Sequence, residues 1–336
     1  MTQAVSVNDL VTGLLDRRYE RAARRVLRAL AVGVTGGVVG RRVDELEEEA
    51  ARLEQAGERL SPDNAVLRAL LADLEPVLLD GARLVAGVGE ELQGQGVDAA
   101  QRLTRELTLA GVDARVLGEI GARWRVPDVE AVNALVTFAE SDAFAGEMRT
   151  YGERVLGVVQ NQAVRGLVEG WNPLRTARQV RQAVEGVPVR VANTTMRTLY
   201  LQSYRRAGQI YQNANAEILG GQVRVAALDV RTCLACVALH GTQLAVGEGV
   251  QDHHNGRCIG VPWIRGAQRT VRSGEEWFAG LSEAQQLQMA GPGALELLQS
   301  GRATLRDFVV TYEDPVYGEM VRRASLMGIL GERGRD

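Results

Sequence analysis

Every cysteine and every histidine of this 336-residue chain falls in one window, RTCLACVALHGTQLAVGEGVQDHHNGRC, Arg231 to Cys258. No other feature restricts the fold as much. Thiolate and imidazole are the ligand set that selects zinc over magnesium or calcium. Cys233 and Cys236 form a Cys-x2-Cys knuckle, a spacing that lets one tight turn aim two sulfurs at one ion. His253 and Cys258 complete a Cys-x2-Cys-x16-His-x4-Cys pattern. Two short ligand pairs joined by a longer loop is the arrangement that tetrahedral zinc favours in structural sites. Four protein ligands leave no open position for water, so the expectation is a structural zinc on Cys233, Cys236, His253 and Cys258. Two blander readings compete: a redox dithiol, or three free buried cysteines. Nothing nearby reads as a βαβ thioredoxin unit, and a dithiol alone does not account for the third cysteine and the histidines. Spacing favours His253 over His254. His240 precedes Gly241 in a turn and is expected to be exposed, outside the ligand set. The segment from Leu228 to Pro262 is short, glycine-rich and poor in large apolar groups. It is therefore expected to depend for its order on an ion that binds only the folded form.

The rest of the chain reads as helix. Apolar residues are 46% but aromatics only 4%, so the core material is Ala, Leu and Val, which suits helices packed through small side chains. Net charge is -3, no obvious signature of a polyanion binder. All 39 basic residues are arginine; because this holds along the whole chain, codon composition explains it better than selection for one binding patch. An odd cysteine count argues against a secreted disulfide framework. The apolar run ALAVGVTGGVVG, Ala29 to Gly40, is too short to span a bilayer and reads as a glycine-interrupted buried segment rather than a targeting signal. No membrane partner is expected.

Four regions are expected. Residues 1–125 form an N-terminal helical region. It includes Asp9 to Leu30, an apolar stripe set among arginines, and Arg41 to Leu60, with a seam of Val43, Leu46, Ala50 and Leu53. Ser61 and Pro62 read as cap and first position of the next helix, and Gly94 to Gly111 as another helix. Residues 126–221 continue in helices. Asp128 caps the first of these, with a break near Gly146; a helix from Asn172 stops at Gly186 and Pro188, and a last one runs from Val191 to Leu219. Residues 222–265 form a zinc-knuckle β module, with a strand at Gln222 to Asp229 and a short extended piece, VPWIRG. Residues 266–336 form a C-terminal helical extension, opened by a Ser273 to Glu276 capping box. The fold class is thus mainly α: a helical bundle followed by a small zinc-stapled α+β module.

The motif resembles that of the phage Mu F-like minor head, or head-morphogenesis, family. Asp229, Arg231, Thr232, Cys233 and Cys236 match its strand and knuckle. Leu239 to Gly241 match its turn, and His253, Arg257, Cys258 and Pro262 its closing run. The helix bearing Arg197, Tyr204 and Gly208 is similar to the one that precedes the family's knuckle, and GWNPLRTARQVRQAV to the helix before that. EEWFAGLSEAQQLQMAGPGALELLQSGRATLRDFV looks like an extension common in such phage proteins. The likeness covers roughly Val155 to Val310 and leaves the first 125 or so residues unmatched. There are departures. Gly256 stands where many members have a further cysteine, which adds weight to His253. His254 takes the place of the usual proline, and His240 that of a frequent acidic residue.

The resemblance implies a non-enzymatic minor structural protein of a tailed-phage head, located in the virion interior and assembled in the host cytoplasm. Its implied partners are portal, capsid and scaffolding proteins, and it would assist head assembly or genome delivery. Packaged DNA is a further candidate partner, contacted by the Arg-rich helices at residues 16–28 and 151–220; pairing of such a helix with the acidic run at Glu45 competes with that reading. A zinc-dependent enzyme or toxin-associated module is the third class. It lacks a Ser-His-Asp or Cys-His arrangement outside the cluster, a P-loop or a dinucleotide fingerprint.

Overall fold

The computed structural model describes residues 17–110, 112 and 120–333; residues 9–16 of the first expected helix and the bounding Gly111 lie outside these. The protein is mainly helical, with a small sheet region toward the C-terminal part. It divides into two compact units. One comprises Arg17–Leu92 and Ala139–Leu199, the other the described residues of Gln93–Phe138 and Tyr200–Asp336.

The first unit is all helix. Helix α1 (Arg17–Thr35) buries Tyr19, Ala22, Ala23, Val26, Leu30 and Val34, a three-and-four spacing that puts them on one face. Helix α2 (Gly37–Ala56) buries Val39, Val43, Leu46 and Ala50, whereas Leu53 is only half-buried. Helix α3 (Ala65–Gly87) presents Leu67, Leu70, Leu74 and Leu78; at Gly81 the Leu30 side chain takes the space a β-carbon would need. Ala29 to Gly40 is therefore partly, not wholly, interior: Leu30, Val34 and Val39 are buried, but Val32 and Val38 face solvent. The cap of α3 is Asn64, whose side chain accepts from the Val66 and Leu67 N–H groups, while Ser61 accepts from the Asp63 N–H in the turn before it. The short amide side chain at Asn64 reaches the orphan donors directly, and Ser61 and Pro62 stay outside the helix.

Helix α4 (Gly89–Leu109) and the 42-residue α8 (Pro173–Ala214) each contribute residues to both units. Between them lie α5 (Val129–Leu135), capped by Asp128 as expected, α6 (Asp142–Arg149) and α7 (Tyr151–Val168). The breaks fall before Ser141, the cap of α6, and at Thr150. The expected stop at Gly186 and Pro188 does not occur. Val184, Val187 and Ala192 are buried on either side of it, and the Tyr151 hydroxyl donates to the Pro188 carbonyl at 2.7 Å. Packing outweighs the one helical bond a proline removes. Arg181 of α8 reaches Glu47 at 2.8 Å and Asp44 at 2.6 Å, so one arginine of the basic helix is committed to the acidic one.

The second unit carries the sheet. Strand β1 (Leu219–Val225) is central, with β2 (Gln243–Leu244) and β3 (Ile259–Ile264) antiparallel on either side. The five-residue α9 (Leu234–Ala238) follows β1. Beyond β3 come α10 (Gly274–Ala279), α11 (Glu283–Ala290) and α12 (Pro292–Gln299); the Ser273 to Glu276 capping box forms as read. The C-terminal region is not purely helical. A hairpin of β4 (Val309–Asp314) and β5 (Gly318–Arg323) precedes α13 (Leu326–Arg333). Its β-branched and tyrosine-bearing VVTYED is strand material, turned back at Pro315.

These C-terminal elements change the expectation for the knuckle. Leu234, Val237 and Ala238 of α9 are buried with Phe278, Met289, Leu295, Leu297, Phe308 and Ile329. Apolar residues outside the window thus give the knuckle helix a core, so an ion is not the sole source of its order.

Candidate metal centre

Two ligand pairs meet because two turns face each other. In the first, Asp229 gathers the Arg231 N–H at 2.9 Å and the Thr232 hydroxyl at 3.3 Å, and Cys233 then caps α9, its sulfur accepting the Cys236 N–H at 3.4 Å. In the second, Asn255 adopts the left-handed conformation (φ 60°), which asparagine tolerates, and the chain reverses between His253 and Cys258. Arg257 clamps the turns together, its guanidinium forking onto both Asp229 oxygens at 2.5 and 2.6 Å. The Asp229 carboxyl is consequently held far below its usual range, chiefly by that fork.

Cys233, Cys236 and His253 offer ligand atoms all within 4.8 Å of one another, and so do Cys236, Asp252 and Cys258. Cys236 belongs to both groups. The cluster could therefore hold a metal ion. The His253 Nε2 is 3.3 Å from the Cys233 sulfur, and its Nδ1–H donates to the His254 carbonyl at 2.7 Å, which leaves Nε2 for the cluster. His254 points elsewhere: its Nε2 lies 2.9 Å from Asp314 Oδ2. His240 is buried, not exposed. Its Nδ1 accepts the Ala226 N–H at 2.9 Å, and burial lowers its pKa, so it braces the strand end.

The sequence reading missed Asp252. This fully buried carboxylate accepts from Arg205 Nη2 at 2.7 Å, the Cys258 N–H at 2.8 Å and the His253 N–H at 3.0 Å, and its Oδ1 lies 3.3 Å from the Cys236 sulfur. Burial alone would raise its pKa, but Arg205, His253 and Arg224 together hold it down to about 2. Gly256 exists for its sake: a β-carbon there would overlap the Asp252 carboxylate. The cysteine that the resemblance leads one to expect at this position has no room. Gly256→Ala is expected to destabilise the protein by about 1–3 kcal/mol, the usual cost of overpacking; an unchanged urea midpoint would refute this. No local motif marks Asp252, since an aspartate beside two histidines is a common surface pattern.

The sulfurs are not equivalent. Cys236 lies between the other two sulfurs, is buried and donates to Asp252 Oδ1, and the two sulfurs above all push its pKa well above the ordinary thiol range. Cys233 accepts from Cys236, and with His253 beside it the pKa falls to about 4 despite burial. Burial would lower the His253 pKa, but Cys233 and the Asp252 charge raise it to about 9. Cys258 is lowered, chiefly by the Cys236 hydrogen bond.

No protein-family model, curated protein or solved structure matches this chain.

Proposed function

We propose that this chain is a minor structural protein of a tailed-phage head, docking on the portal or the capsid interior through a module that a structural zinc staples. The single observation that supports it best is the partly buried three-sulfur, one-imidazole donor set, arranged on two facing turns whose Asp229–Arg257 clamp uses residues of the same motif that resembles the phage Mu F-like family. Ligand atoms around tetrahedral zinc stand roughly 3.3–3.8 Å apart, given bonds of about 2.0–2.3 Å, so the two groups of three that share Cys236 would close in on one another for Cys233, Cys236, His253 and Cys258 to hold one ion. When bound, zinc would cross-link the two turns and do no chemistry of its own, because four protein ligands close its coordination. Among the described residues no helix is long and apolar enough to cross a membrane.

Elemental analysis of the purified chain, expected to give one zinc per molecule, tests the metal. Co-sedimentation with a portal ring from the same genome tests the partner. Retention of DNA instead, lost as salt is added, would move the reading to a virion DNA-binding protein.

The protonation pattern adds a pH test. At pH 7 a metal must displace the Cys236 thiol proton and the His253 imidazolium proton, since both pKa values lie above 7. Apparent zinc affinity is therefore expected to rise by at least about a hundredfold per pH unit near neutrality. A competition titration at two pH values that gives the same affinity would contradict it.

A further inference from the structure

Arg224 lies on the central strand β1 and is only 3% exposed. Its Nη2 stands 3.4 Å from the Cys258 sulfur, 3.9 Å from the Cys236 sulfur and 3.8 Å from Asp252 Oδ1, and its Nη1 donates to the Gln251 carbonyl. Its buried Nε has no acceptor among the described residues. An ion pair with Asp252, at 3.8 Å, is the ordinary explanation for such a residue, but it is only part of the account. Asp252 already receives Arg205 at 2.7 Å and two backbone N–H groups, and Arg224 is nearer to the Cys258 sulfur than to the carboxylate. A guanidinium taken out of water costs several kcal/mol unless it meets opposite charge. Here the nearest negative charge is on the Cys258 sulfur.

The charges can be counted from ligand chemistry alone. Three thiolates and a neutral imidazole on a dication carry one net negative charge, and Asp252 adds a second. Arg205 and Arg224, the two buried guanidiniums beside them, offset both. With a monovalent ion the same buried cluster would be left negative by one charge; with a trivalent ion it would be left positive by one.

We propose that Arg224 is a positioning residue of the metal centre: it donates to the thiolates of Cys258 and Cys236 and, with Arg205 and Asp252, leaves the loaded cluster neutral only for a dication. This rests on the metal reading above and specifies it, because it names the charge class of the ion.

The test is a pair of titrations, with zinc and with cobalt(II), on the full chain and on Arg224→Met. The variant is expected to bind zinc about 10–100-fold more weakly, the usual effect of removing an outer-shell partner. Its sulfur-to-cobalt charge-transfer band is expected to move to longer wavelength, because sulfurs that lose a donor give up electrons more easily. A residue that only filled space would lower stability without moving that band. Arg224→Lys, which keeps the charge but not the two-point fork, is expected to fall between the two. If Arg224→Met does not fold, Arg224→Gln, which can still donate to the Gln251 carbonyl, gives the same comparison. A wild-type chain that takes up both metals beside a variant with unchanged affinity and an unmoved band overturns the role of Arg224 alone. A wild-type chain that takes up neither metal overturns the metal reading, and this inference with it.

Discussion

Replacing Cys236 with alanine is expected to weaken zinc binding by a few hundredfold and to loosen the loop from Asp252 to Cys258 while the helices stay formed. Cys236 belongs to both ligand groups, so its loss separates Cys233 and His253 from Cys258. Structural zinc contributes roughly 10–16 kcal/mol in small modules at pH 7, and one of four even shares is about 2.5–4 kcal/mol. The knuckle helix should survive, because Leu234 and Val237 are packed against the C-terminal helices whether or not an ion is bound. Competition against a calibrated chelator measures the affinity, and amide exchange locates the loosening. A variant that binds zinc as well as the parent, or that loses its helical circular dichroism, would contradict the account.

Asp252→Ala is expected to destabilise the protein by about 3–5 kcal/mol even with chelator present, so that metal does not enter the comparison. The Asp252 side chain is inaccessible, and the side chains of Arg205 and Arg224 are only 5% and 4% exposed. Removing the carboxylate leaves the buried Arg205 guanidinium without its counter-charge and takes from Arg224 one of the charges beside it, and breaking a buried ion pair in this way is strongly destabilising. It also frees the Cys258 N–H that the carboxylate holds. Asp252→Asn, which keeps an acceptor but not the charge, should fall in between. Urea unfolding decides the matter, and a loss under about 1 kcal/mol for the alanine variant would show that water reaches both arginines.

The centre was half legible in the sequence, for a chemical reason. Cysteine and histidine are rare here, so their gathering between Arg231 and Cys258 stands out; the helical stripe of α1 and the Asp128 cap are visible by the same kind of local logic. Arg205, Arg224 and Asp252 were not visible. They are 47 and 28 residues from their partner along the chain in the two pairings, and a chain with 39 arginines does not advertise the two that are buried. His240 went astray because a residue before a turn glycine is usually solvated, whereas this one is needed by the Ala226 N–H. Pro188 and the β4–β5 hairpin show the other limit. A proline signals a stop only where packing does not carry the helix through it, and six-residue strands compete with helix on composition alone.

His253 and His254 are neighbours in sequence with opposite commitments. The first faces the Cys233 sulfur; the second holds Asp314, which in turn accepts the Val316 and Tyr317 N–H groups and so fixes the tip of the hairpin. A single peptide unit therefore joins a residue of the cluster to the residue that holds the hairpin. The cluster and the hairpin tip are thus anchored through consecutive residues of one turn, so a substitution at either histidine bears on both.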